Sequence, residues 1–117
     1  MAAIDVDAGR LVIALTRAER FLALRRRDLV VPLEDVGMVV PVERALSELR
    51  GWRVGSAWPG RYALGTWHGR VDGRWFRDFA IIHSAGPGVV MSLDAGEYDR
   101  VVFDCADPAQ FVAAVRA

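Results

Sequence analysis

His68 and His83, the only histidines of this sequence, and Cys105, its only cysteine, are the first candidates for a metal site or for nucleophilic catalysis. Imidazole nitrogens and thiolates are preferred zinc ligands, and a cysteine beside a histidine forms a common nucleophile and base pair. Zinc-site ligands usually come in pairs a few residues apart, and no two of these residues have that spacing. The pattern predicts no metal, no cofactor and no catalytic residues. A small metal-dependent or Cys/His enzyme is the minor alternative.

Glycine-rich phosphate-binding motifs are absent as well. The chain contains no GxGxxG between a strand and a helix, no GxxxxGK[ST] and no GxSxG. The AGPG stretch at 85–88 precedes a predicted strand, so it indicates a turn. The sequence therefore favours a protein that is not an enzyme.

Recognition chemistry is concentrated between Gly51 and Trp75, a segment with all four tryptophans, six glycines and four arginines. Trp and Arg are enriched at the residues that dominate binding energy in protein interfaces. Trp58 is the first choice, because a tryptophan beside the Pro59-Gly60 turn is hard for its own sheet to bury. The predicted partner-binding residues are Arg53, Trp58, Arg61, Trp67, Arg70 and Trp75. Two alternatives remain: packing of these rings in the core, and binding of nucleic acid or an anionic ligand by segment 50–77.

An arginine triplet at 25–27 follows a predicted short helix. Cations at a helix carboxyl end interact favourably with the helix dipole, which is the simpler explanation. The alternative is an anion-binding site that uses Arg25 and Arg27.

Composition limits the class of protein. The 117 residues predict one domain, 1–117, with a single core. All fifteen cations are arginine and the net charge is zero, so long-range attraction to nucleic acid is weak. The charges are uneven, with seven arginines against two acids over 44–77 and six acids against one arginine over 78–107. A single cysteine excludes an intramolecular disulfide, and the absence of a signal peptide or membrane-spanning run predicts a soluble, cytoplasmic protein.

The elements that position these residues are mostly strands. Hydrophobic patterns predict strands at 10–15, 28–33, 36–40, 61–68, 75–83, 89–94 and 99–105, and helices at 16–26, 43–49 and 108–115. Thr16 and Glu19 have capping-box spacing, and the first helix is expected to present Ala18, Phe21, Leu22 and Leu24 on one side. Pro32 argues for an edge strand. Asp72-Gly73 predicts a hairpin, and short turns predict an antiparallel meander of the last four strands.

This order of elements carries a motif series, namely PLEDV, GWRVGSAWPG, GTW, FRDFAIIHSAGPGVVMSL and YDRVVFDCADPAQFVAAV. The series resembles the bacterial pleckstrin-homology-like (PH-like) family of small soluble proteins, over about residues 10–117. The resemblance implies an α+β, mainly β fold: a PH-like, bent, antiparallel seven-stranded sheet or partly open barrel, capped by a C-terminal helix.

The resemblance also implies a non-enzymatic binding or scaffold module for protein–protein contact or self-association, with a homo-oligomer as one form. Lipid-binding members carry a lysine followed by Lys/Arg-x-Arg on the hairpin of the first two strands. Here the chain has no lysine, and only Arg25 and Arg27 have that spacing. Phosphoinositide binding is therefore not expected.

Overall fold

The computed structural model describes residues 3–7, 9–23, 25, 27–58 and 60–116. The strands are β1 Ala3–Asp7, β2 Arg10–Ala14, β3 Leu29–Pro32, β4 Val36–Val42, β5 Trp52–Trp58, β6 Tyr62–Val71, β7 Arg74–Ile82, β8 Gly88–Leu93 and β9 Arg100–Asp104. The helices are α1 Arg17–Ala23 and α2 Pro108–Arg116, and 3₁₀ turns cover Leu33–Asp35 and Ala45–Glu48.

These strands form two sheets in the described part of the chain. One has the order β1-β2-β3 and the other the order β4-β8-β9-β7-β6-β5. The fold is mainly β with a carboxyl-terminal helix, as predicted, and its larger sheet is bent and does not close. The expected single antiparallel sheet of seven strands is not what forms, because β7 and β9 pair in parallel.

The predicted meander is wrong at one step. The β6–β7 and β8–β9 pairs are antiparallel as expected, but β9 lies between β7 and β8. Val101, Val102 and Phe103 are all buried, so β9 is apolar on both faces. Such a strand is stabilised most in the centre of a sheet, with both faces covered.

The β6–β7 hairpin forms as its sequence predicts. Val71 pairs with Arg74, and the two residues between them, Asp72 and Gly73, have positive φ angles of 52° and 78°. Positive φ at both central residues is the conformation that a tight two-residue hairpin requires. Pro32 likewise ends β3 at an edge of the smaller sheet, as expected.

Two strands were not predicted, β1 and β5. Gly55, the one glycine of β5, lies mid-strand opposite Gly65 of β6. Their φ angles are +146° and +143°, and a Cβ on Gly55 would collide with the carbonyl oxygen of Leu64. Glycine therefore permits a close approach of two backbones at this point, and it does not end the strand.

Helix α1 begins with the predicted capping box. The Glu19 backbone N–H donates to Thr16 Oγ1 (3.2 Å), and the Thr16 N–H donates to Glu19 Oε1 (2.8 Å). The predicted apolar side is confirmed only at Leu22, which packs against the main core; Ala18 and Phe21 are exposed, and the buried residues are Glu19 and Ala23. The Glu19 carboxylate contacts His83, and this contact directs the Glu19 side of the helix toward the interior. Leu24 and Arg26 lie outside the described residues.

The predicted helix at 43–49 is a single 3₁₀ turn, Ala45–Glu48. Arg100 Nη2 donates to the Glu48 carbonyl oxygen at 2.8 Å. The buried Ala45 packs on β8 and β9. These contacts with the sheet favour a short turn over a longer helix.

Two apolar clusters lie on opposite faces of the larger sheet. The main core lies between the two sheets, where Leu11, Ile13, Leu64, Phe79 and Met91 are buried. The second cluster includes Ala45, Trp67 and Val102 and is covered by the Ala45–Glu48 turn. Each strand of the larger sheet therefore has one face toward each cluster.

Helix α2 forms as predicted. Asp107 Oδ1 accepts the Gln110 N–H at 3.2 Å, which caps the helix. Phe111, Val112 and Val115 pack on the main core, and the Phe111 ring contacts that of Phe103 at 5.0 Å. The helix covers the β4 and β8 side of the larger sheet.

Candidate binding face

Cross-strand pairing brings the candidate residues onto one side of the larger sheet. Trp52 pairs with His68, which pairs with Arg77, and Arg70 pairs with Trp75. Residues directly opposite each other share a face. One side of the larger sheet faces the main core, and part of that side is open to solvent. We call this open part the aromatic face. It is formed by Trp52, Val54, Trp58, His68, Arg70, Trp75 and Arg77.

Three of the four tryptophans are exposed, and all three lie on the aromatic face. The exposed fractions are 56% for Trp52, 61% for Trp58 and 67% for Trp75, against 7% for Trp67. Val54, between Trp52 and Trp58 on the same strand, is 47% exposed. Folding alone does not require this much apolar surface in contact with water.

Side chains of the aromatic face contact neighbouring rings. The Trp52 and His68 rings meet edge-on with centroids 5.3 Å apart. The guanidinium of Arg70 lies 5.4 Å from the Trp75 ring centroid, and that of Arg77 lies 5.8 Å from the Tyr98 centroid. Arginines stacked on rings present fixed donors beside apolar area.

A cleft of about 510 Å³ adjoins the aromatic face. Its lining includes Val54, Thr66, His68 and Trp75 of the larger sheet and Glu97 and Tyr98 of the β8–β9 connection. The Thr66 and Tyr98 hydroxyls lie 3.3 Å apart and form a hydrogen bond. The cleft thus combines apolar, hydroxyl and charged groups of both signs.

The two proposed anion-binding arginines differ in their contacts and in their exposure. Arg25 Nη1 donates to both Glu97 carboxylate oxygens (3.0 and 3.2 Å) and to the Tyr98 hydroxyl (3.1 Å), so its charge is already paired. Arg27 is exposed beside Asp28. Arg25 and Arg27 nevertheless line one cleft of about 300 Å³ together with Asp28, Asp35 and Glu97, so an anion-binding role for the two arginines stays a prediction.

The other predicted partner-binding residues do not share one surface. Trp58, Arg70 and Trp75 lie on the aromatic face, while the exposed Arg53 and the buried Trp67 point to the opposite side. Trp67 is a core residue, because the glycines and alanines around it leave room for its ring. The exposed Arg61 lies in the β5–β6 turn; the Pro59 of that predicted turn is outside the described residues.

Trp52 was missed as a binding residue. It begins β5, a strand that was not predicted, and the residue before it is the positive-φ Gly51. Alternation along WRVGSAW places Trp52, Val54 and Trp58 on the same side. This alternation is the sequence signal that identifies Trp52 as a residue of the same side.

A buried ion pair supports the sheet under this face. Asp78, fully buried, accepts hydrogen bonds on Oδ2 from Arg100 Nε (3.0 Å) and Nη2 (2.8 Å), and Arg50 Nε lies 3.4 Å away. Arg100 also donates to the Glu48 carbonyl oxygen, so the ion pair links the Ala45–Glu48 turn to β7 and β9. Its role is to position the sheet.

The histidines lie far apart. His68 pairs with Arg77, whereas His83 follows β7 six residues further, about 20 Å at strand spacing. His83 Nε2 contacts Glu19 Oε2, and Cys105 packs against the main core. Among the described residues, no group of three or more His, Cys, Asp or Glu side chains is arranged to hold a metal ion.

Comparison with protein-family models, curated proteins and solved structures finds no match for this chain. Neither helix in the described part of the chain has the length and apolar character needed to cross a bilayer. The geometry of the aromatic face therefore carries the functional argument.

Proposed function

We propose that this protein is a non-enzymatic binding module that contacts another polypeptide through the aromatic face. The observation that carries this proposal is the exposure of Trp52, Trp58 and Trp75 on one side of a sheet whose edge strand is β5. Exposed apolar area of this kind, rimmed by polar groups, is typical of interaction sites.

The chemistry of the face suits a polypeptide. Tryptophan rings supply rigid contact area, and Arg70 and Arg77 supply directional donors to carbonyl or carboxylate oxygens. A free strand edge adds backbone donors and acceptors that an extended segment can pair with. Together these groups match the mixture of apolar and polar surface that a protein partner presents.

Nucleic acid fits the face less well. Glu97 and Asp99 line the same cleft as Arg25 and Arg77, and Glu97 neutralises Arg25. A phosphate backbone laid along the cleft would meet both acids. This mixed charge favours a polypeptide over a polyanion.

The relation to PH-like proteins stays part of this proposal. A bent β-sheet with a carboxyl-terminal helix supports it, while the parallel β7–β9 pair departs from the expected antiparallel sheet. The proposed role depends on the aromatic face and does not depend on that relation.

The test is capture of partners from native cell extract with wild type, Trp52→Ala and Trp75→Ala. Met38→Ala is the matched control, because Met38 is 64% exposed but lies on β4, at the other edge of the sheet. We expect both tryptophan variants to lose the captured protein while melting at the wild-type temperature, and the control to retain it. Equal capture by all four proteins, or loss of capture only in the Met38 variant, would contradict the proposal.

A further inference from the structure

Strand β5 ends the larger sheet with one edge free among the described residues. It pairs with β6 alone, in continuous register from Trp52 to Trp58. No bulge interrupts the strand. Its outer backbone groups are therefore available to another strand along its whole length.

The other three sheet edges are protected. β4 contains Pro41 and a register irregularity between Val36 and Val39. β3 ends in Pro32, and β1 has two aspartates among its five residues. Prolines, bulges and charges are among the devices that prevent edge pairing. Within its seven residues β5 has no proline and only one charge, that of Arg53.

The sequence of β5, WRVGSAW, is close to symmetric about Gly55. A two-fold axis at Gly55 would place Trp52 opposite the partner's Trp58 and Val54 opposite the partner's Ser56. Both pairs lie on the aromatic face. Because the axis is two-fold, each pair occurs twice in the dimer. An interface about a two-fold axis must be complementary to itself, and this strand meets that condition.

Building on the binding role proposed above, we propose that the polypeptide which β5 binds is a second copy of this chain. The two β5 strands pair antiparallel about Gly55 and join the two larger sheets into one. Gly55 carries no side chain, so nothing projects at the axis.

The charges of the strand allow this pairing. Arg53 lies on the opposite side of the sheet and would face the partner's Ala57. The two Arg53 side chains would be four residues apart, about 13 Å at strand spacing, beyond the screening length of about 8 Å in physiological salt. Like charges are therefore not brought together.

The apolar area is sufficient for a specific dimer. A fully covered tryptophan buries about 150–250 Å², so two half-exposed tryptophans, a valine and the strand edge from each copy supply on the order of 1,000 Å² in total. Helix α1 packs on β5 and β6, and its Phe21 is 77% exposed.

The first experiment measures molar mass by light scattering and sedimentation over a wide range of concentrations. Wild type is expected to be a dimer that dissociates on dilution. Val54→Lys should weaken association by about a hundredfold or more, because the change occurs twice in a two-fold interface. Met38→Lys on β4 is the matched control and should dimerise like wild type.

The second experiment tests the register. In a Cys105→Ser background, Val54→Cys and Ser56→Cys are combined and the protein is oxidised. Residues opposite each other on antiparallel strands are within disulfide reach, so the double variant should form a covalent dimer and each single variant should not.

A monomeric wild type at every concentration overturns the self-pairing. If that monomer still captures another protein through Trp75, the binding role stands and only the second copy is wrong. A dimer that survives Val54→Lys, or one that Met38→Lys abolishes, also overturns it. A dimer without the predicted cross-link contradicts the register about Gly55.

Discussion

His83 Nε2 lies 2.6 Å from Glu19 Oε2 and joins the first turn of α1 to the end of β7. The other carboxylate oxygen of Glu19 accepts the Thr16 N–H, so one side chain caps the helix and docks it. The side chain of Glu19 is 3% exposed and that of His83 is 30% exposed. The orientation of α1 beside the cleft depends on this contact.

Replacing Glu19 by Gln should change how stability depends on pH. Burial raises the pKa of Glu19, but the hydrogen bonds from the Thr16 backbone and from His83 lower it by more, so the net pKa lies below the usual value. The carboxylate therefore stabilises the fold above the ordinary glutamate pKa, about 4.3, and this stability is lost as the pH falls through the lowered value. Urea unfolding of Glu19→Gln should show a loss of about 1–3 kcal/mol at neutral pH and a shallower acid dependence.

The matched control for this prediction is Glu43→Gln, at an exposed position. The acid dependence should not vanish entirely in Glu19→Gln. Hydrogen bonds from the Leu15 N–H and the Arg20 guanidinium also lower the pKa of Asp28, which contributes over the same range. If Glu19→Gln keeps the full wild-type slope, Glu19 is not a source of that slope.

Substitutions at Asp78 and at Arg50 should lower the free energy of unfolding by unequal amounts. Asp78→Ala leaves the largely buried Arg100 without its counter-charge and should lower the free energy of unfolding by about 3–5 kcal/mol. Arg50→Ala should cost less than about 1 kcal/mol, because Arg50 is 39% exposed and lies further from the carboxylate, at 3.4 Å. Chemical denaturation of both variants is the measurement. Equal losses would contradict this ranking and show that removing Arg50 costs as much as removing Asp78.

The glycine pair in β5 and β6 predicts a strong effect of a single methyl group. A Cβ on Gly65 would collide with the Val54 carbonyl oxygen, at a φ of +143° that side chains rarely adopt. Gly65→Ala should therefore cost about 3 kcal/mol or more, from strain and displaced backbone together. Gly60→Ala is the control, since its φ is +75° but no atom lies within 4 Å of the added carbon. Similar melting temperatures for the two variants would argue against the close approach.

Patterns of local origin could be predicted from the sequence. The capping box of Thr16 and Glu19, the Asp72-Gly73 hairpin and the Asp107 cap each depend on neighbouring residues, and all three form. The position of β9 between β7 and β8 depends on which strand buries both faces, a property of the whole sheet. Pairing of Gly55 with Gly65 is equally non-local, which is why β5 was not recognised.

Residues of the aromatic face could be predicted from the sequence only where the position of their strand could be predicted. Trp58 and Trp75 are exposed as a binding role requires, while Trp52 was overlooked with the rest of β5. Trp67 shares its side of β6 with Ala63 and Gly65, small residues that leave space for a ring. That neighbourhood distinguishes a core tryptophan from an exposed one, but only once the strand pairing is known.

Alanine variants of the tryptophans should separate core from surface. Trp67→Ala removes a ring that is 7% exposed and packed in the second apolar cluster, so it should lower the free energy of unfolding by about 3–5 kcal/mol. Trp58→Ala removes a ring that is 61% exposed, and the isolated protein should change by about 0.5 kcal/mol or less. Thermal and urea unfolding at dilute protein concentration measure both without contribution from association. Because Trp58 lies on β5, its variant should lose association while it keeps the fold, and a Trp58→Ala protein as destabilised as Trp67→Ala would place Trp58 in the core and contradict its assignment to the aromatic face.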